Sequence, residues 1–87
     1  MEFNGKKSKV VYNPVCEYDK YGEFYNSAVF ASKDEAREAI KAWIAKSIKN
    51  MEAYYQVDID ENGATVLYKK DKELRCWFVI QPMAYFA

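Results

Sequence analysis

Between residues 32 and 52 apolar side chains recur three and four positions apart: Ala36, Ala39, Ile40, Trp43, Ile44, Ile48 and Met51. That spacing draws a stripe over about one-third of a helix circumference. Arg37, Glu38, Lys41, Lys46 and Lys49 occupy the remaining face. Ahead of the stripe, "SKDE" sets Ser32 three residues before Glu35, the spacing of a capping box, in which each side chain satisfies a backbone N–H at the helix start. Asp34 and Glu35 lie at the start and the lysines near the end, as the helix dipole prefers. One long helix is predicted over about residues 33–52.

Elsewhere the apolar period drops to two. "SKVVYNPVCEY" is rich in β-formers but contains Pro14, which restricts it to an edge strand or a bulged one. After the turn "DKYG", the stretch "EFYNSAVF" predicts a second strand leading to the helix cap. Beyond the helix, Tyr55, Val57 and Ile59 alternate with Gln56, Asp58 and Asp60. "NG" at 62–63 is the strongest short hairpin signal, and with those residues as the loop Ile59 pairs with Val66 and Val57 with Tyr68. "KKDKE" then turns the chain into a last strand, "LRCWFVI", followed by the tail "QPMAYFA". The prediction is a single α+β domain over 1–87 in the order ββαβββ, an antiparallel sheet of four to five strands with one long helix on one face.

One helix covers one face of such a sheet. In the last strand Leu74, Cys76, Phe78 and Ile80 point one way, Trp77 and Val79 the other. A tight turn at Asp71–Lys72 sets Trp77 against Val66 under the helix and leaves Leu67, Cys76, Phe78 and Ile80 outside. One extra residue swaps the two sets. Either way large apolar groups face away from the helix, to be covered by the tail, by the N-terminal segment, by a second copy or by a partner.

Composition sharpens this. Of 87 residues, 17% are aromatic, including eight Tyr, and a chain this size buries only about 60–65% of its unfolded surface, so several rings stay accessible. Thirteen basic residues balance thirteen acidic ones, which lacks the positive surplus of a dedicated nucleic-acid binder. The N-terminus has no apolar core of a secretory leader, no apolar run is long enough for a bilayer, and Cys16 and Cys76 make no disulfide framework. A cytoplasmic protein with reduced thiols is the expectation.

The chain has no histidine, which removes histidine acid–base chemistry, and its three glycines are isolated, so no phosphate-cradling loop is present. No cofactor or metal is expected and no enzyme. "DIDENG" matches the first half of a calcium loop, but the twelfth position is Lys69 where a bidentate Glu is needed, so solvated acids before a hairpin is the better reading. Asp58 and Asp60 share a strand face, with nothing nearby to split their pKa values for catalysis.

Two basic clusters, Lys6, Lys7 and Lys9 and then Lys69, Lys70, Lys72 and Arg75, stand beside aromatics and are the candidate nucleic-acid contacts. The run "YDKYGEF…FASKDEA" resembles the sheet-then-helix unit of phage-integrase arm-binding modules over some twenty residues, without their basic surplus. The leading expectation is non-catalytic binding of a protein through the open sheet face, last strand and tail, with Trp77, Phe78, Tyr85, Phe86 and Leu67 as contacts. In size and in its lack of catalytic residues the chain is similar to phage and mobile-element inhibitors such as anti-CRISPR and antirestriction proteins. That resemblance implies blocking of a host protein. Nucleic-acid binding is the alternative, and a homodimer is a third way to cover the face.

Overall fold

The last apolar alternation becomes the spine of the sheet. In the computed structural model, which describes residues 8–24 and 28–86 and only the backbone of Ser8, Tyr85 and Phe86, strand β4 runs over Leu74–Phe86. It lies between β1 (Ser8–Asp19) and β3 (Gly63–Tyr68), and β2 (Tyr55–Asp60) closes the other edge. All three pairings are antiparallel. Helix α1 (Lys33–Ser47) crosses β1, β4 and β3 on one side, and a short turn of helix, α2 (Met51–Tyr54), leads into β2.

The fold is thus α+β with a four-stranded sheet in chain order β1, α1, α2, β2, β3, β4. The described part of the second predicted strand holds one bridge, Phe30 with Tyr12, made by two backbone hydrogen bonds of 2.8 Å. Tyr25–Ser27 lie outside the described residues. The helix starts as predicted, with Ser32 Oγ accepting from the Glu35 N–H at 3.1 Å. It stops earlier, at Ser47: Ile48 is already extended, at φ −110° and ψ 112°, and Asn50, at φ 56° in a left-handed conformation that asparagine tolerates, begins the separate turn α2.

Both prolines sit where the ladder does not need them. Tyr12 directs its N–H and C=O outward to Phe30, so Pro14, two residues on, also presents its nitrogen to the outer edge of β1. By the same alternation Pro82, opposite Tyr12, points toward the β3 side beyond the last β3 pairing, Gly63 with Val79.

The β2–β3 hairpin forms two residues away from the predicted register. Glu61 and Asn62 are the loop, Ile59 meets Ala64 and Val57 meets Val66. A shift of two preserves the faces, so apolar still meets apolar. Asp60 accepts the Asn62 N–H at 2.7 Å and fixes the turn. Gly63 serves as the first residue of β3 because it packs against the β4 backbone: at φ 156° a Cβ would overlap the Phe78 carbonyl. Gly63→Ala is therefore expected to destabilise by about 1–3 kcal/mol in urea unfolding, whereas Gly22→Ala meets open space and should cost only its left-handed strain.

Two bulges decide which side of the sheet each residue takes. In β3–β4 the register slips between Val66, opposite Cys76, and Leu67, opposite Leu74, leaving Arg75 as the extra residue. In β1–β4 it slips between Cys16, opposite Phe78, and Tyr18, opposite Trp77, leaving Glu17. An extra residue bends the strand and flips the faces beyond it. Cys76, Phe78 and Ile80 thereby join Ala36, Ile40, Ile44, Ile48, Ala64 and Val66 in the core under α1. The extra residue that swaps the faces lies inside the strand, at Arg75, and not in the turn.

Candidate functional site

The side of the sheet away from α1 is covered by no other element of the described residues. Strand alternation places Val11 and Val15 of β1, Trp77, Val79 and Met83 of β4, and Leu67 of β3 on this open face. The two slips add Tyr18 beside Trp77 and Leu74 beside Leu67. Trp77 is 46% exposed although its strand is interior, and its pairing partners are Tyr18 and Thr65. A tryptophan on an interior strand, left open to solvent, is the anchor of the site. Polar groups share the face: Gln81, opposite Asn13 between Val79 and Met83, donates to Glu17 at 3.2 Å, and Gln56 donates to Asp58 at 3.2 Å on the β2 side.

Of the predicted contacts, Trp77 and Leu67 lie on this face. Phe78 does not: at 1% exposure it is in the core, with its ring edge-on to Phe24 at 4.9 Å, because the Arg75 bulge turns the even positions of β4 toward the helix. Tyr85 and Phe86 extend β4 past the core, and their side chains lie outside what is described. Alternation alone groups Val79 with Trp77 and Val11 with Val15, without saying which side of the sheet they take. Tyr18 was not legible even as a member of that group, since only the slip at Glu17 brings it round.

At the end of the sheet where both bulges meet, Arg75 is buried, 3% exposed. Its guanidinium pairs with Asp19, itself 4% exposed, and with Glu23 at 3.0 Å, and lies 4.4 Å from the Tyr21 ring centre. Burial alone would lower the Arg75 pKa; Asp19, Tyr55 and Glu23 outweigh it, and the pKa is raised. The Tyr21 hydroxyl is 3.1 Å from that of Tyr68, and this bond, with burial, raises the Tyr68 pKa. Lys20 lies 5.0 Å over the Tyr68 ring. The group locks β1, β4 and the segment after β1 together.

The basic residues do not converge. Lys6 and Lys7 lie outside the described residues. Lys9 is opposite Tyr85 near the far end of β4, while Lys69, Lys70 and Lys72 belong to the β3–β4 turn, about 36 Å away at about 3.3 Å per strand residue. Arg75, read from sequence as a nucleic-acid contact, is consumed by Asp19 and Glu23. Lys69 bonds the Glu52 carbonyl and Lys72 the Gln56 side chain at 2.9 Å.

No disulfide joins Cys16 and Cys76. Burial pushes the Cys76 thiol up to about 12, and burial together with Asp19 raises that of Cys16, whose thiol donates to the Tyr18 carbonyl at 3.3 Å. Among the described residues no cluster of three or more Cys, Asp or Glu is arranged to hold a metal ion, and no helix is long and apolar enough to cross a membrane. No protein-family model, curated protein or solved structure matches the chain.

Proposed function

We propose that this chain is a non-catalytic binding protein whose open sheet face docks on another protein. The observation that supports the reading is Trp77, half-exposed on an interior strand within an apolar face, with Glu17, Gln81, Gln56 and Asp58 as polar neighbours. A large aromatic with apolar and polar neighbours is the composition of a binding hot spot, where a partner expels water from the ring. A phage- or mobile-element-type inhibitor, occluding a host protein by this face, is the form the proposal takes by analogy.

A photo-reactive amino acid in place of Trp77, compared with one in place of Lys41 on the outer surface of α1, tests it. The expected result is a protein adduct at position 77 that persists when salt is raised or nuclease is added, since apolar contacts are little screened. Equal labelling from position 41, or an adduct at 77 that vanishes with nuclease, overturns the reading.

A further inference from the structure

We infer that the occupant of the open face is a second copy of this chain, two sheets stacking face to face with their helices outside. This rests on the docking reading above and takes the docked protein to be another copy of the chain in place of a host protein. Three observations carry it.

The first is shape. The Cα radius of gyration is 15.3 Å, against about 12 Å for a compact domain of this length. The excess comes from β1 and β4, whose ends, Ser8–Asn13 and Gln81–Phe86, run on together past the β2–β3 hairpin as a two-stranded ribbon. Such a ribbon is marginal in water without further support. This one shows Val10 and Ala84 on the helix side and Val11 and Met83 on the open side.

The second is area. With strands about 4.8 Å apart and about 3.3 Å per residue, the whole open face projects to on the order of 600 Å². Side-chain relief brings that close to the about 800 Å² per partner of a standard interface.

The third is self-complementarity. A two-fold contact must match a patch to itself. Tyr18 and Trp77 stand at one end of the apolar stripe and Val11 and Met83 at the other. Two stripes laid antiparallel put the bulky end of each on the ribbon of its partner, with methionine against aromatic rings, a favourable pairing. Asn13 and Gln81 lie within the stripe and Glu17, which accepts from Gln81, stands beside it; the chain as a whole is neutral, so no long-range repulsion opposes the contact. Sheets stacked this way interdigitate about 10 Å apart, as in a sandwich.

Sedimentation velocity of the full chain from nanomolar to high micromolar concentration tests this, with Trp77→Glu and Met83→Lys at the two ends of the stripe. The expected result is a concentration-dependent dimer, weakened more than about tenfold by either substitution while circular dichroism shows the fold retained. Should Trp77→Glu unfold the chain, Met83→Lys on the ribbon carries the test alone. A native chain that stays monomeric throughout overturns the dimer. So does a dimer that either folded variant leaves intact. If the monomer still gives a photo-adduct with a different protein from position 77, the docking reading survives without the second copy.

Discussion

Phe78→Ala is expected to destabilise the chain by about 3–5 kcal/mol, the range for deleting a buried ring. Trp77→Ala, one position away, is expected to cost under about 1.5 kcal/mol in the monomer. The two rings belong to opposite sides of β4. Phe78 is 1% exposed, edge-on to Phe24 at 4.9 Å and 6.3 Å from Trp43. Its removal leaves a cavity under α1 that Ile40 and Ile44 cannot fill without shifting. Trp77 leaves a gap that water already borders. Urea unfolding of both variants, at protein concentrations low enough to exclude association, decides it. Equal costs, or the reverse order, would mean that the two faces have been assigned the wrong way round.

Asp19→Ala is expected to cost a comparable about 3–5 kcal/mol, because it leaves a buried guanidinium with only the half-exposed Glu23 as counter-charge. Asp19 does three things: it pairs with Arg75, accepts the Tyr21 N–H at 3.4 Å, and accepts the Glu23 N–H. Glu23→Ala should cost about 1 kcal/mol or less, since its side chain is 44% exposed and solvent screens its share of the pair. The double variant Asp19→Ala with Arg75→Met separates the contributions. It should recover much of the single-variant loss, because no unpaired buried charge remains. No recovery would mean that Asp19 acts chiefly through its backbone bonds.

These two predictions mark where sequence reasoning held and where it failed. Helix α1 was legible because cap, stripe and charge all pointed the same way over several turns. The β2–β3 hairpin was legible by face, since a register error of two leaves every side chain on its own side. The faces of β4 were not legible. They depend on one extra residue at Arg75, and what holds that bulge is a carboxylate on the neighbouring strand β1, at Asp19, 56 residues earlier in the chain. Read locally, Arg75 belongs with the neighbouring lysines; only the fold brings its partner to it. The open apolar face itself was foreseeable, because a single helix cannot cover both sides. That Trp77 and not Phe78 lies on it was fixed by a contact spanning most of the chain.

The placement of Pro14 and Pro82 reaches beyond the single molecule. A stray strand seeking to lengthen the sheet must find donors along its rim, and at both of these points it finds a ring instead. Sideways recruitment, which once begun has no built-in stop and ends in fibres, is obstructed on β1 and on the projecting half of β4. Stacking through the broad side has a stop after one step, because the outer surfaces of the pair are helices.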